Sequence, residues 1–362
     1  MGFEDFFGNR PVVELLRDMM ARDRLPHALL LSGPPGVGKY TLAQMLAKAI
    51  HCLDQKNDFC GHCRSCRSIG LADDRWAAVE EAEQEREKLT RRPREIPLLI
   101  QHHPDVVLLP PNGPLRLFQI EQARSLKEAL AFVPAGGRTK IFLLPEADRM
   151  DAAAANSLLK SLEEPPPHTL LALTASSEAA LLPTIRSRCV PLCLGPLPRE
   201  QVVAFLETAG AGRDEEERRL RAAVSRGCPG RALRMDLEHY LQVRDSLLAM
   251  LQAGLEAKNF AALFAEAQKL ASQKEGLENL LDVLYSLLQD ILHIETRANG
   301  EPLRNADRPK TLMQIARVLG ADRVAQAAAG LGSVERNLRR NVPTQISLEA
   351  LVVSLAPVRS KS

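Results

Sequence analysis

The chain has 362 residues, with 47 Lys and Arg against 45 Asp and Glu. This length predicts two or three domains, and the near-balance of charge excludes a basic nucleic-acid coat protein and an acidic disordered tail. Aromatic residues make up 4% of the sequence, too few for a base-stacking surface, so any DNA contact is expected to run through phosphates. No apolar run approaches a membrane span, and Met1–Phe6 lacks a signal-peptide layout, which predicts a cytoplasmic protein without membrane contact.

Short apolar runs alternate with helical segments between about residues 26 and 194. The predicted strands are Ala28–Ser32, Val106–Leu109, Ile141–Leu144 and Leu170–Thr174. The predicted helices among them are Thr41–Ile50, Ile120–Phe132 and Ala152–Glu163. Runs with few polar interruptions are typical of strands buried on both faces of a parallel sheet. The alternation therefore predicts a doubly wound α/β domain over residues 1–195.

The strand pattern ends after Pro196-Leu197-Pro198. Glycine-punctuated short helices are predicted over residues 196–238, as a small helical lid. From about residue 239 to 362, apolar residues recur at helical spacing, which predicts an all-α bundle. Its clearest stripe consists of Leu277, Leu280, Leu281, Leu284, Leu287, Leu288 and Ile291.

A phosphate-binding loop is predicted between the first strand and the following helix. Its glycines let backbone N–H groups turn toward phosphates, the helix N-terminus adds a positive dipole end, and Lys39 would reach the terminal phosphates. The candidate nucleotide-binding residues here are Gly33, Pro34, Pro35, Gly36, Val37, Gly38, Lys39, Tyr40 and Thr41.

Two positions depart from the P-loop pattern. The Ser or Thr that ligates Mg²⁺ after the lysine is replaced by Tyr40, and Thr41 lies one helical step, about 100°, away. Pro145 stands where the next acidic metal group is normally found, whereas Glu146 occupies the place of a water-activating base. ATP or ADP binding therefore remains possible, Mg²⁺ binding is doubtful, and efficient hydrolysis is not expected.

Cys52, Cys60, Cys63 and Cys66 have the spacing C-x7-C-x2-C-x2-C. Four thiolates suit a closed tetrahedral Zn²⁺ site, which would hold an insertion over residues 52–66 together. An iron–sulfur cluster is the alternative with the same four ligands.

Residues 77–94 are dense in charge, with opposite charges three or four residues apart, and predict a solvated surface helix or a partner-binding helix. Arg336, Arg339 and Arg340 form a basic cluster near the C-terminus. A solvated helix face is the simpler interpretation of that cluster, and contact with a neighbouring subunit or with phosphates is the alternative.

These features together resemble the delta prime family of the bacterial DNA polymerase III clamp loader, within the AAA+ class. The matching motifs include the P-loop and the cysteine cluster, and the remaining ones are Arg24–Ala28, His103–Asp105, Glu146–Met150, Ala155–Lys160, Leu162–Pro166, Leu182–Cys189 and Gly227–Leu233. The related gamma and tau subunits need an intact P-loop threonine and an acidic metal strand, so Tyr40 and Pro145 favour delta prime.

The resemblance implies an AAA+ core with a zinc-binding insertion, a helical lid and a helical oligomerisation collar. It implies that Arg188 acts as an arginine finger on a neighbouring subunit's ATP, with Thr174 and Arg231 at the two nucleotide-sensor positions. The implied partners are the gamma/tau and delta subunits in a hetero-pentamer, the sliding clamp, and primer-template DNA through the complex. The alternatives are an active ATPase, either a motor subunit or a helicase loader, and a stand-alone zinc-stabilised nucleic-acid-binding protein.

Overall fold

The computed structural model describes residues 2–89, 96–112, 116–136, 138–255, 277–296 and 303–339. The chain divides into two compact units. The first contains Met1–Phe205 and Gly227–Arg231, and the second contains Leu206–Arg226 and Ala232–Ser362. Within the described ranges, none of the helices combines the length and the apolar character needed to cross a bilayer.

The first unit is built on a six-stranded sheet with the order β2-β3-β4-β5-β1-β6. The strands are β1 (Ala28–Ser32), β2 (Ile100–His103), β3 (Val106–Leu108), β4 (Lys140–Leu144), β5 (Thr169–Ala175) and β6 (Val190–Cys193). Among the six strands found in the described residues, β2 at one edge pairs antiparallel with β3, and the remaining strand pairings are parallel. The carboxyl end of β1, which leads into the P-loop, therefore lies between those of β5 and β6.

Alternate residues of the central strands enter two different cores, because successive side chains point to opposite sheet faces. Leu29 and Leu31 of β1 belong to one hydrophobic cluster, whereas Ala28 and Leu30 belong to the other. All five residues of β1 are buried. Both faces of the sheet are thus covered, as the uninterrupted apolar runs predicted.

Helices cover both faces of this sheet. Those of the first unit are α1 (Arg10–Ala21), α2 (Lys39–His51), α3 (Arg64–Gly70), α4 (Arg75–Leu89), α5 (Ile120–Leu130), α6 (Ala152–Glu163) and α7 (Pro183–Arg186). Two further helices, α8 (Arg199–Thr208) and α10 (Pro229–Arg234), begin in the first unit and end in the second. The predicted α/β core, a mostly parallel sheet with helices on both faces, is confirmed.

The second unit is helical throughout its described part. Its other helices are α9 (Glu215–Val224), α11 (Leu237–Leu255), α12 (Leu277–Thr296) and α13 (Pro309–Arg339). The predicted leucine stripe lies on α12, and its members from Leu280 to Ile291 are buried in the core that α12 shares with α11 and α13. Gly320 interrupts α13 with a φ of 70°. The division of the chain at residues 195 and 238 stays a prediction.

Candidate nucleotide and zinc sites

The P-loop connects β1 to α2 through three glycines with positive φ. Gly33, Gly36 and Gly38 have φ of 143°, 82° and 102°, which L side chains rarely adopt. A Cβ on Gly33 would lie 2.2 Å from the Leu194 carbonyl oxygen, and a Cβ on Gly36 would lie 2.7 Å from the Arg231 nitrogen. Backbone conformation and close approach therefore both require glycine, and α2 begins directly at Lys39.

Lys39 lies inside this loop. Its Nζ donates to the Gly33 carbonyl at 2.5 Å and to the Pro34 carbonyl at 2.9 Å. Burial lowers the pKa of Lys39 to about 8, and the charge of Asp148 acts against that shift. The lysine and the loop backbone fit a phosphate chain, which would replace these carbonyls as the partner of the ammonium group.

Tyr40 uses its hydroxyl away from the phosphate loop. The hydroxyl donates to the Ala72 carbonyl at 2.6 Å and accepts from Gln44 Nε2 at 2.7 Å. Burial raises the pKa of Tyr40, so the phenol stays protonated at neutral pH. Thr41 is exposed on the next position of α2. The residues after Lys39 thus do not fit a Mg²⁺ site.

In the turn after β4, neither Pro145 nor Glu146 offers a free metal ligand. Pro145 is buried, and the Glu146 backbone, with φ 53° in the left-handed region, donates to Thr174 Oγ1 at 3.1 Å. Thr174 is 4% exposed at the end of β5. Its hydroxyl therefore supports the turn that carries Glu146. The Glu146 carboxylate is paired with three arginines.

Asp148 was not predicted as a site residue, because the sequence analysis used Glu146–Met150 only as a whole motif and assigned Asp148 no role of its own. It accepts from the backbone N–H and hydroxyl of Ser176, at 3.3 and 2.6 Å, through one carboxylate oxygen. Its other oxygen is buried and has no hydrogen-bond partner among the described residues. It also contributes the largest of the electrostatic interactions acting on Lys39. Among the acids that act on Lys39, Asp148 thus has the strongest electrostatic effect, ahead of Glu146.

Arg231, at the predicted second sensor position, lies in α10, and its backbone lies beside the P-loop. The Gly230 N–H donates to the Gly36 carbonyl at 2.8 Å. A Cβ on Gly36 would approach Arg231 Cβ to 3.0 Å. Gly230 and Arg231, in the part of the motif that belongs to the first unit, are therefore in direct contact with the P-loop.

The four cysteines converge after α2. Their sulfur atoms lie within 4.8 Å of one another and all four residues are buried. Backbone N–H groups of Cys60, Cys63 and Cys66 donate to the sulfurs of Cys52, Cys60 and Cys63 at 3.3–3.4 Å. Such bonds favour thiolates, so the cluster fits a tetrahedral zinc. The identity of the metal stays a prediction.

Arg188, at the predicted finger position, follows α7. Its Nη1 donates to the Thr184 carbonyl at 2.7 Å and to Ser187 Oγ at 3.2 Å. Its Nη2 forms an ion pair with Glu163, at the end of α6, and its side chain is 31% exposed. The guanidinium is therefore accessible but held on this chain's own surface.

The charged stretch predicted as residues 77–94 forms α4 up to Leu89, and residues 90–95 lie outside the described residues. On α4, Ala78 and Arg86 are buried. Arg86 donates to the Ile96 carbonyl and to Asn112 Oδ1. Arg340 lies outside the described residues, as do the side chains of Arg336 and Arg339. The interpretation of that basic cluster stays a prediction.

Two family models match this sequence. The model for "DNA polymerase III, delta subunit" matches residues 8–198, and the model for its C-terminal part matches residues 238–355. The first alone spans more than half of the chain.

Curated relatives agree with these models. The DNA polymerase III subunit delta' of Bacillus subtilis is 27% identical over 346 residues, covering 95% of each chain. The delta' subunit of Escherichia coli is 27% identical over 348 residues, covering 96% of this chain and 92% of its own. The tau subunit of Escherichia coli is 30% identical over 206 residues, 57% of this chain and 27% of its own. Both family models and the two full-length matches lead to one assignment: the chain belongs to the delta prime family of DNA polymerase III subunits.

Proposed function

We propose that this chain is the delta prime subunit of a cytoplasmic clamp loader. It would join gamma/tau motor subunits and delta in a hetero-pentamer that opens the sliding clamp and places it on primed DNA. The similarity to delta' subunits over nearly the whole chain supports this role. The second unit would act as the oligomerisation collar.

The chain is proposed to be deficient in ATP hydrolysis. The observation that carries this proposal is the Tyr40 hydroxyl, which is bound to the Ala72 carbonyl at 2.6 Å where a P-loop would present a metal ligand. Pro145 offers no ligand at the second metal position. Lys39 and the glycine backbone could still hold the phosphates of ATP or ADP, so binding without efficient turnover is expected.

Arg188 is proposed to complete the ATP site of an adjacent motor subunit. A planar guanidinium can stabilise the charge that spreads over a phosphoryl group during transfer. The contact with Glu163 holds the side chain at the surface. On assembly the guanidinium would exchange this carboxylate for a phosphate of the neighbouring nucleotide. Arginine fingers are worth roughly 10³–10⁵ in rate at the site they serve.

The test compares loader complexes that contain native chain, Arg188→Ala or Arg188→Lys. Arg186→Ala is the matched control, since it removes an exposed arginine two residues away. We expect co-purification with gamma/tau and delta in all four cases, because an exposed ion pair contributes about 0–1 kcal/mol. DNA- and clamp-stimulated ATPase should fall for Arg188→Ala and Arg188→Lys, by less than the single-site factor because other motor sites receive other fingers.

Each other outcome is informative. Unchanged hydrolysis and clamp loading in the Arg188→Ala complex would remove the finger role. Absence of any complex with the native chain would remove the loader assignment. Robust ATPase of the isolated native chain would favour an active motor, and tight, salt-dependent DNA binding by it would favour a stand-alone nucleic-acid-binding protein.

A further inference from the structure

Three arginines from separate segments converge on the Glu146 carboxylate. Arg75 at the start of α4 lies 2.6 Å from Oε1, and Arg116 in the β3–α5 connection lies 3.2 Å from the same oxygen. Arg149, in the turn after β4, lies 2.9 Å from Oε2. Both carboxylate oxygens therefore accept from guanidinium groups.

Trp76 completes this cluster. The guanidinium carbons of Arg75 and Arg116 lie 4.3 and 4.1 Å from the centre of its ring. Such cation–π contacts stabilise two guanidiniums whose charges would otherwise repel each other. Arg75 is also 5.7 Å from the ring of Tyr40. The cluster thus spans the distance between the P-loop helix and the turn after β4.

Two further contacts hold the same segment of chain against α2. The Ala72 carbonyl accepts from Tyr40, and the adjacent Asp73 forms an ion pair with Lys48. The segment Ala72–Trp76, which follows the cysteine cluster and α3, is therefore attached at both α2 and Glu146. We name this segment the clasp.

We propose that Glu146 anchors the clasp and does not serve as the water-activating base that the sequence predicts at this position. A general base needs an oxygen free to accept a proton from water in a near-attack position. Here both oxygens are used by guanidiniums, and the left-handed Glu146 backbone is fixed by its hydrogen bond to Thr174. The proposal extends the proposed hydrolysis deficiency and rests on that function only in its last test.

The first test is Glu146→Gln in the full chain, which preserves side-chain size and removes the charge. Because this change removes the partly buried negative charge that pairs with three arginines, it should lower Tm by about 3–8 °C. It should also speed amide exchange in residues 72–79. Asp18→Asn is the matched control, because it breaks one exposed ion pair with Arg22 in the same unit, and it should shift Tm by about 1 °C or less. An unchanged Tm and unchanged exchange in Glu146→Gln would overturn the proposal.

The second test is a double-mutant cycle. Glu146→Gln combined with Arg75→Gln should lose less stability than the sum of the two single changes, because both remove the same contact. Glu146→Gln combined with Arg22→Gln should be additive. Additivity in both cycles would contradict the clasp. If Glu146→Gln does not fold, Arg75→Gln replaces it in the Tm and amide-exchange measurements, since it removes only one of the three contacts and lies in the clasp itself.

The third test introduces metal ligands through Tyr40→Thr and Pro145→Asp together. We expect no Mg²⁺-dependent ATP hydrolysis from this double variant, with or without the added Glu146→Gln. Turnover that requires Glu146 would identify it as a base and overturn the proposal. Failure of the loader assignment would appear in co-purification and would leave the stability tests unaffected.

Discussion

Replacing Tyr40 tests whether the departure after Lys39 is structural. Tyr40→Thr introduces the residue that a metal-binding P-loop carries at this position. It also removes a half-buried ring that packs against the hydrophobic cluster containing Leu29 and Leu31, together with the hydrogen bond to the Ala72 carbonyl. The gain of a possible metal ligand is therefore accompanied by a loss of packing.

The structure sets the size of this loss. Removing a well-buried aromatic ring costs about 3–5 kcal/mol, and the partial exposure of Tyr40 reduces this to about 2–4 kcal/mol. At about 2–4 °C per kcal/mol for a unit of this size, Tm should fall by about 4–16 °C. Tyr40→Phe is the matched control, because it keeps the ring and removes only the hydroxyl. Gln44 still donates to the Ala72 carbonyl at 2.9 Å, so this control should cost about 1 kcal/mol.

Two optical signals separate local from global effects. Far-UV circular dichroism follows unfolding, and the fluorescence of Trp76, the single tryptophan, follows the clasp because Arg75 lies against both Trp76 and Tyr40. Tyr40→Thr should change both signals, whereas Tyr40→Phe should leave the fluorescence close to native. A Tyr40→Thr chain with native Tm and native fluorescence would refute the reasoning.

Two further predictions concern the metal and the P-loop lysine. Metal analysis of purified chain should find one zinc per molecule, Cys63→Ser should lose it, and iron, or no metal under reducing conditions, would contradict the assignment. Because the pKa of Lys39 is lowered to about 8 from 10.5, the unfolded chain binds more protons between those values. The native chain should therefore gain stability relative to Lys39→Met as pH rises from about 8 to 10. Urea unfolding at pH 7.5 and 9.5 measures this, and an equal difference at both pH values would contradict the burial of the ammonium group.

Elements whose signals are local could be predicted from the sequence. The bounds of β1 and α6 were predicted without error, because β1 is uniformly apolar and the Asp151 side chain caps α6 through the Ala154 N–H. Strand β2 was missed, since Ile100-Gln101-His102-His103 lies at a sheet edge and carries three polar residues. Edge strands need no uninterrupted apolar run, so their sequence signal is weak.

Contacts between distant segments left no pattern in the sequence. Arg149 is a local partner of Glu146, three residues along the chain, whereas Arg75 and Arg116 come from distant segments and reach Glu146 only through the tertiary fold. Arg86 shows the same effect, because a charge-dense helix predicted to be solvated has a buried arginine bonded to Asn112. A charged residue's partner depends on tertiary distance, which local spacing does not encode.

The departures at the predicted metal site are therefore coupled to one another through the fold. The Tyr40 hydroxyl donates a hydrogen bond to the carbonyl of Ala72, the first residue of the clasp. Arg75, also in the clasp, forms an ion pair with Glu146. Glu146 follows Pro145 at the end of β4, and its backbone is held by Thr174. A change to a metal ligand at Tyr40 thus loosens the clasp, while a change at Pro145 alters the turn that presents its anchor. Because these residues share contacts, the stability costs of Tyr40→Thr and Pro145→Asp should not be additive. The metal-binding residues of a motor subunit therefore cannot be introduced here without also rebuilding the contacts that join the clasp to the sheet.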